Sequence, residues 1–384
     1  MKIEIPTPEW NSDIAKTILN LEKLRTRRLG GQVPAYVFFQ LKNIFQLLET
    51  LGSARIEGNN TTLIEYVEKI IEKKIDTPDE STQELENIEK AMAFIEENAA
   101  SGTPINRSFI SDLHKITTQK LTPPPHGEGS SYPGDLRKDS VAISQSEHIP
   151  PVLPLLQEYF DSFIDFINSD FSEQNQLLMV AIAHHRFMYV HPFDNGNGRM
   201  GRLLNYAFLI KLGFNVDKGR IINPSSVFYA DRDKYYQMLG KADSLEKDDL
   251  LAWAEYFLFG LNNEIQKIDK LLEVDYTRNE ILKPTLSFAL ERENITKQEF
   301  DILNLLIRLP NMELKAGDLE QIGFKGTPQQ KSSLMGKLKD KEMICPKEEG
   351  GRIYQINFAN SYLLRGIIKT LNDKGFVAEF LNKN

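Results

Sequence analysis

Apolar positions recur at helical spacing through most of the first 275 residues of the chain. The segment 34–51 carries such a pattern, which stops at Gly52, and the segment 177–190 is apolar almost all round. The second pattern is typical of a central helix that its neighbours bury. Further helices are predicted from Thr77 to Ala99, from Asn106 to Leu121, and over 151–168, 173–190, 199–212, 226–240 and 248–272.

Helix-start signals and breaks divide this helical region. Thr77 is predicted to be an N-cap because proline follows it and Glu80 stands at the third helical position. The segment 122–134 (TPPPHGEGSSYPG) contains too many helix-breaking residues to be regular. Residues 140–144 (SVAIS) then alternate with period two, which predicts a short strand or one arm of a hairpin.

The last hundred residues have a different character. Three short helices and a β-hairpin are predicted there, which is the outline of a winged helix-turn-helix domain. The helices are expected after Thr296, around 318–320 and after Thr327, and the hairpin arms at 344–346 and 352–356. A domain boundary is expected near 275–295. The chain is therefore predicted to have an N-terminal helical region (1–100), a helical core (101–275) and a C-terminal domain (285–384).

Composition indicates a globular protein of more than one domain. The chain has 384 residues, of which 41% are hydrophobic and 26% charged. Its formal charge of −8 argues against nucleic-acid binding along the whole chain. The single cysteine, Cys345, excludes an internal disulfide and a cysteine-rich metal site. The N-terminus does not resemble a secretory signal, and no apolar run is long enough to span a membrane, so a cytoplasmic protein is expected.

The run HPFDNGNGRMGR at 191–202 concentrates the candidate chemistry. A neutral His191 side chain is a candidate general base at neutral pH. The turn 194–198 has two glycines and a following helix start, a combination that can present backbone N–H groups to an anion. Arg199 and Arg202 lie on one helix face and can hold phosphate oxygens. DNGNG is also typical of a hairpin turn, but the flanking helices favour a phosphate site.

This run resembles the signature HxFx(D/E)GNGRxxR of the Fic family. The resemblance extends over roughly 35–275 and implies a mainly α-helical Fic-type core with a short β-hairpin flap. Members of the family mostly transfer AMP from ATP to protein hydroxyls, so it also implies a nucleotidyltransferase. The matching residues are His191, Phe193, Gly196, Asn197, Gly198, Arg199 and Arg202.

The resemblance implies a role for each motif residue. His191 would deprotonate the target hydroxyl, and Phe193 would anchor the loop in the core. The flap around Val141–Ile143 would dock an extended segment of a target protein, which presents a Ser, Thr or Tyr hydroxyl. The nucleotide-binding residues would be Gly196, Asn197 and Gly198 around the α- and β-phosphates, Arg199 at the distal phosphates, Arg202 at the γ-phosphate, Met200 and Gly201 between them, and Tyr229 and Asp231 at the adenine.

Two positions of the signature bear on the donor and on the metal. In the phosphotransferase branch of the family, lysine stands at the position of Gly198, so this glycine favours nucleotidyl transfer. The acidic metal ligand of the family is Asn195 in this chain. Its carbonyl oxygen can coordinate Mg²⁺, but a neutral ligand binds the ion more weakly than a carboxylate. The resemblance thus implies ATP and Mg²⁺ as the reacting complex.

A second motif concerns regulation. Ser53 and Glu57, in SARIEG, match the inhibitory pattern (S/T)xxxE(G/N) of the family. The resemblance implies that Glu57 pairs with Arg202, which removes the partner of the γ-phosphate. In some relatives the same glutamate positions a water that removes AMP from modified targets.

Other functions remain open at this stage. The alternative to an enzyme is a transcription regulator that senses a nucleotide and binds DNA through its C-terminal domain. For that domain, however, protein docking or formation of a homodimer is favoured over DNA binding. Transfer of a different nucleotide is a further possibility. His184 and His185 are adjacent on a helix, so they point apart and are expected to be packing residues rather than metal ligands with His191. The lysines of the C-terminal domain are Lys325, Lys331, Lys337, Lys339 and Lys341.

Overall fold

The computed structural model describes residues 3–26, 33–72, 79–99, 103–143, 146–214, 222–359 and 361–382, and these residues are mostly helical. Among these described residues, the first 275 positions of the chain, which were predicted to be helical, contain eleven complete helices. They are α1 (Asp13–Thr26), α2 (Ala35–Ile56), α3 (Leu63–Glu72), α4 (Glu80–Asn98), α5 (Arg107–Thr118), α6 (Leu153–Ile167), α7 (Glu173–Val190), α8 (Asn197–Lys211), α9 (Ser226–Tyr229), α10 (Arg232–Ala242) and α11 (Lys247–Leu271).

Helices α7 and α8 form the centre of this region. Both are buried along almost their whole length, as the apolar run at 177–190 predicts. Helix α8 also packs against α2, α4 and α5, while α6 and α11 pack against α7. The Trp253 side chain of α11 is fully buried, and its Nε1 donates to the Ala181 carbonyl of α7 at 2.7 Å. The turn between the two central helices, which holds the candidate chemistry, is thus supported by the core.

Three predicted helix ends are wrong by a few residues, and each has a local cause. Asp79 caps α4 through the backbone N–H of Thr82, whereas the predicted cap, Thr77, lies outside the described residues. Helix α5 begins after its predicted cap Asn106, but ends before Leu121 because Gln119 is extended. The predicted helix over 226–240 breaks at Asp231, whose carboxylate caps α10.

The predicted end of α2 at Gly52 is also wrong, because the helix continues to Ile56. Gly52, inside α2, packs against the Tyr229 ring. A Cβ atom at this position would lie 2.1 Å from the Tyr229 ring. The glycine lets the aromatic ring lie directly against the helix backbone.

Gly52→Ala is expected to lower the free energy of unfolding by about 1–3 kcal/mol, because the methyl group overpacks the Tyr229 contact. Gly336→Ala is the matched control, since Gly336 lies inside a later helix with no atom near its Cβ position. This change should stabilise the protein by about 1 kcal/mol. Chemical denaturation of both variants checks the pair. Equal effects would show that the Tyr229 contact does not restrict residue 52.

Residues 140–143 have no regular secondary structure and so do not form the predicted strand, and residue 144 lies outside the described residues. The alternation itself is real, because Val141 and Ile143 are half-buried while Ala142 is exposed. A strand additionally needs a hydrogen-bonded neighbour, and the β-ladders of the described residues all lie in the C-terminal region. The preceding segment 122–134 is irregular, as predicted.

The C-terminal region contains the predicted hairpin and a further strand that pairs with it. The antiparallel sheet has the order β1-β3-β2, and Leu314 of β1 pairs with Tyr354 of β3. Capping boxes at Thr296 and Thr327 start two helices, as expected. The elements are α12 (Val274–Tyr276), a π-helical turn (Thr277–Leu282), α13 (Lys283–Glu291), α14 (Lys297–Arg308), β1 (Glu313–Lys315), a 3₁₀ segment (Ala316–Ile322), α15 (Pro328–Asp340), β2 (Ile344–Pro346), β3 (Ile353–Ile356), α16 (Leu363–Asp373) and a final 3₁₀ turn (Glu379–Asn382).

The sequence missed α13, β1 and α16 in this region, and its winged-helix interpretation stays a prediction. So do the predicted domain limits. Within the described ranges, no helix has both the length and the apolar character needed to cross a bilayer.

Candidate active site

The site is built on the turn that joins α7 to α8. His191 ends α7 in a left-handed conformation (φ 47°), and Gly196 (φ 76°) precedes the first residue of α8. No side chain caps α8 at Gly196, so the first backbone N–H groups of the helix are available to an anion. The Asn197 side chain closes the turn, because it accepts from the Phe193 N–H at 3.0 Å and donates to the Phe193 carbonyl at 2.8 Å. Asn197 can therefore offer only its backbone to an anion.

The Phe193 ring fixes the turn in the core. It is buried and stacks on the His114 ring of α5, with the two centroids 3.7 Å apart. The Nε2 of His114 donates to the Asn195 carbonyl at 3.1 Å, and its Nδ1 accepts from the Gly134 N–H at 2.9 Å. Burial lowers the pKa of His114 to about 4, so the ring is neutral near pH 7.

His191 has the protonation state that a general base requires. Burial lowers the pKa of this imidazole to about 4. Its Nδ1 lies 3.4 Å from the Met188 carbonyl, which can only accept, so this contact places the proton on Nδ1 and the lone pair on Nε2. Arg137 holds the His191 backbone, because its Nε donates to the His191 carbonyl at 2.9 Å.

Arg202 is engaged by the end of α2. The Arg202 side chain is 1% exposed, and its Nη2 lies 2.7 Å from Glu57 Oε1. Its Nε donates to Ser53 Oγ at 2.9 Å, and Nη2 also donates to the Ser53 carbonyl at 2.9 Å. The two residues of the inhibitory pattern thus both contact the second motif arginine.

The Glu57 carboxylate occupies the position of an anion at the start of α8. A Cβ atom on Gly198 would lie only 2.1 Å from Glu57 Oε1, so the carboxylate lies directly against the helix N-terminus. Burial acts to raise the pKa of Glu57, but Arg202, with smaller contributions from Arg199 and Arg232, outweighs it, and the net pKa falls below its usual range. The carboxylate is therefore ionised at neutral pH.

Arg199 is not free in this structure, which the sequence did not predict. Its fully buried side chain lies 3.0 Å from Glu84 Oε1 of α4. Its Nη2 also donates to the Glu128 carbonyl at 2.5 Å. The second oxygen of Glu84 accepts from Asn59 Nδ2 at 2.7 Å, just beyond the inhibitory motif. Arg199 therefore connects α8 to α4 and to the 122–134 segment, instead of projecting freely toward a phosphate.

Arg232 at the start of α10 is a further candidate that the sequence missed. Its positive charge, like that of Arg199, lowers the pKa of Glu57. Its guanidinium lies 5.5 Å from the centre of the Tyr236 ring, and its buried Nε has no hydrogen-bond partner among the described residues. The signal for it in the sequence is only its place beside Asp231.

The side chains at the turn do not fit a resident metal site. Asn195 Oδ1 accepts from the Gly196 N–H at 2.7 Å, so the predicted ligand oxygen is already used. The adjacent Asp194 carboxylate accepts from Ser130 Oγ and from the Ser131 N–H. Among the residues that the structure covers, no cluster of three or more His, Cys, Asp or Glu side chains could hold a metal ion.

The two residues predicted at the adenine have other contacts here. Tyr229 is buried, packs on Gly52, and accepts from Asn223 Nδ2 at 2.7 Å. Asp231 is exposed and caps α10 by accepting from the Lys234 N–H at 2.9 Å. The predicted adenine contact stays a prediction.

A groove runs beside the segment that was predicted to be the flap. Its volume is about 630 Å³, and it lies between the segment 146–149 and helix α10. Met188, one turn before His191, contributes to its wall. An extended chain in this groove would therefore pass close to the candidate base.

His184 and His185 have structural contacts, as the sequence suggested. His184 Nε2 lies 3.0 Å from the Tyr235 hydroxyl, and its Nδ1 faces Asn205 Nδ2 at 2.9 Å. His185 Nε2 lies 2.9 Å from the Asp243 carboxylate. These bonds connect α7 to α8 and to the end of α10.

Comparison with known proteins finds similarity to one family over part of the chain. Residues 104–209 match the model of the Fic/DOC family. The chain is 29% identical over 199 residues to the protein adenylyltransferase Fic of Nematostella vectensis, and 29% identical over 197 residues to that of Drosophila melanogaster. Each match covers 50% of this chain, but only 42% and 36% of the relative. The chain thus spans less than half the length of these relatives.

Solved structures share the fold. A Fic family protein from Desulfovibrio desulfuricans G20 superposes with a TM-score of 0.58 at 20% identity, over 92% of this chain and 98% of that one. Because that coverage exceeds the family segment, the shared fold extends into both flanking regions. A Fic domain containing signaling protein from Bacteroides thetaiotaomicron gives a TM-score of 0.53 at 18% identity, over 67% of this chain and 97% of that one.

Proposed function

Because residues 104–209 match the model of the Fic/DOC family, we propose that this chain is a protein adenylyltransferase that its own Glu57 holds inactive. Its substrates are ATP and a target protein with a Ser, Thr or Tyr hydroxyl. The observation that carries the proposal is the Glu57 carboxylate on Arg202 and against Gly198, where a nucleotide phosphate would bind. The relatives that match half of the chain are named protein adenylyltransferases.

The reaction follows from the geometry of the turn once Glu57 has left. The nucleotide phosphates bind to the free N–H groups at the start of α8, and Arg202 holds the distal phosphate. His191 Nε2 takes the proton from the target hydroxyl. The hydroxyl oxygen then bonds to the α-phosphorus, the bond from that phosphorus to the bridging oxygen breaks, and pyrophosphate leaves. Mg²⁺ enters with ATP as part of the substrate and takes most of its ligands from phosphates and water.

Gly198 supports nucleotidyl rather than phosphoryl transfer. The space beside its Cα is filled by the Glu57 carboxylate in this structure. A lysine side chain here, as in the phosphotransferase branch of the family, could not coexist with that carboxylate in its present position. Glycine at 198 and glutamate at 57 are therefore compatible parts of one regulated nucleotide site.

The alternative of a DNA-binding regulator gains no support from the contacts of the C-terminal lysines. Lys331 Nζ lies 2.6 Å from Glu320, and Lys341 Nζ lies 2.7 Å from Glu299. These ion pairs reduce the positive charge that α15 could offer to a phosphate backbone.

The proposed reaction predicts which phosphate of ATP is transferred. The Glu57→Gly protein is incubated with a cell lysate and with ATP labelled at either the α- or the γ-phosphate. We expect protein-bound label from the α-phosphate alone, because AMP is transferred to the target and the γ-phosphate departs in pyrophosphate. Label from the γ-phosphate would identify a kinase, and no label from either would refute the proposal. Labelled GTP, CTP and UTP in parallel would establish the preferred base.

A further inference from the structure

Helix α2 leads into the inhibitory residue Glu57, and the C-terminal region contacts this helix at both helix ends. We define the C-terminal unit as residues 310–359 and 361–382, which include the sheet, α15 and α16. Helix α2 is 22 residues long and leads directly into Glu57. The function proposed above uses the last turn of α2, but it assigns no role to the contacts between α2 and the C-terminal unit.

The first turns of α2 are bound to the sheet by side-chain hydrogen bonds. Gln40 Nε2 donates to the Ile356 carbonyl at 2.8 Å, and its Oε1 accepts from the Phe358 N–H at 2.7 Å. The same oxygen accepts from the Ala359 N–H at 3.2 Å. One turn earlier, the Tyr36 hydroxyl donates to the Met312 carbonyl at 2.6 Å. Gln40 therefore satisfies three backbone groups at the end of β3.

The last turn of α2 is bound to the C-terminal end of the chain. Arg55 Nη1 donates to the Leu381 carbonyl at 3.2 Å, and its guanidinium lies 5.3 Å from the centre of the Phe380 ring. Arg55 is two residues before Glu57. Helix α3, which follows the inhibitory motif, is also held, because Arg365 of α16 pairs with Glu68, with Nε 2.6 Å from Oε1.

Between these two contacts the packing is open. A cavity of about 420 Å³ lies between α2, α4 and the C-terminal unit. Lys42, Gln46 and Thr50 of α2 line it on one side, and Ala359 and Leu364 line it on the other. The polar contacts at the two ends of α2 thus lie on either side of this cavity.

A rigid helix can carry a displacement from one end to the other. Gln40 and Glu57 are separated by roughly 25 Å at 1.5 Å per residue. A tilt or shift of α2 at the sheet therefore moves the Glu57 carboxylate relative to Arg202, which is fixed in the buried helix α8. The equilibrium between bound and released Glu57 then depends on whether the C-terminal unit is docked.

We propose that the C-terminal unit controls the active site: docked on α2 it holds Glu57 against Arg202, and its displacement releases Glu57 and permits AMP transfer. This inference rests on the proposed function. It assigns the C-terminal unit a regulatory role within the chain, because any partner or ligand that binds better to the displaced unit would activate the enzyme.

Gln40→Ala and Gln46→Ala form a matched pair for the test. Both residues lie on α2. Gln40 binds the C-terminal unit, whereas Gln46 donates to Glu96 of α4 at 2.8 Å. We expect Gln40→Ala to raise AMP incorporation about tenfold above the wild-type chain, and Gln46→Ala to leave it unchanged. In a Glu57→Gly background, Gln40→Ala should add nothing, because the inhibitory carboxylate is already absent.

Hydrogen exchange gives a readout that does not require catalysis. Gln40→Ala should increase amide exchange over residues 50–58, whereas Gln46→Ala should not. The inference is overturned if Gln40→Ala leaves this exchange at the wild-type level, or if it changes incorporation equally with and without Glu57. A Glu57→Gly protein that transfers no AMP would instead refute the proposed function, whatever the exchange data show.

Discussion

Glu57→Gly is expected to raise the initial rate of AMP incorporation by about 10²- to 10³-fold. The carboxylate of Glu57 is in the anion position of α8 and pairs with the almost fully buried Arg202. Breaking a buried ion pair by removing one partner costs about 3–5 kcal/mol, and ATP must bear a cost of this order to displace Glu57 before a phosphate takes its place on Arg202. Each 1.4 kcal/mol corresponds to a factor of ten. Removal of the side chain leaves Arg202 ready to bind the nucleotide.

The measurement is the rate of transfer from α-labelled ATP, together with the affinity for ATP by calorimetry. Glycine is tolerated at this position because residue 57 already lies beyond the last helical residue. Glu57→Gln is an informative intermediate, since it keeps the size of the side chain but not its charge, and its rate should lie between the other two. A Glu57→Gly protein with wild-type rate and affinity would show that the carboxylate does not compete with nucleotide.

His191→Ala in the Glu57→Gly background is expected to lower the rate of transfer by about 10²- to 10⁴-fold, the usual contribution of a positioned base. ATP affinity should be nearly unchanged, because the proposed partner of the Nε2 lone pair is the target hydroxyl. The exposed His126 provides the control, and His126→Ala should leave the rate unaltered. Single-turnover kinetics at saturating ATP measure the chemical step directly.

The pKa of His191 adds a check on this assignment. A base must be unprotonated to act, and burial lowers the pKa of His191 to about 4. The rate of the Glu57→Gly protein should therefore not fall as the pH is lowered from 8 to about 5, and should fall only near pH 4. A fall centred near the ordinary histidine value would argue that another group, or a much more exposed His191, is the base.

Local signals in the sequence were sufficient for the central helices and for the turn between them. The apolar run at 177–190 and the glycines at 196 and 198 are constraints that act within a few residues. The ends of elements were less predictable, because they depend on partners distant in sequence. Gly52 is the clearest case, since α2 continues through it and its lack of a side chain serves the contact with the Tyr229 ring. Likewise, residues 140–143 have the alternation of a strand but lack a paired neighbour.

The candidate site shows the same division. The contact of Glu57 with Arg202 joins residues 145 positions apart, and only the resemblance of both motifs to one family pointed to it. Glu84 could not be identified in this way. It is an ordinary helical glutamate in the sequence, and only the folded chain brings it to Arg199 and Asn59. The docking of the C-terminal unit on α2 also depends on contacts over more than 270 positions, which no local pattern encodes.

The most direct test of the central claim compares three proteins under identical conditions: the wild-type chain, Glu57→Gly, and Glu57→Gly with His191→Ala. Each is incubated with ATP and a cell lysate, and AMP-modified proteins, including the chain itself, are detected by mass spectrometry. We predict strong modification with Glu57→Gly alone, and at most weak modification with the other two. Equal modification by the wild-type and Glu57→Gly proteins, or modification that survives the loss of His191, would contradict an AMP transfer that Glu57 holds off and His191 performs.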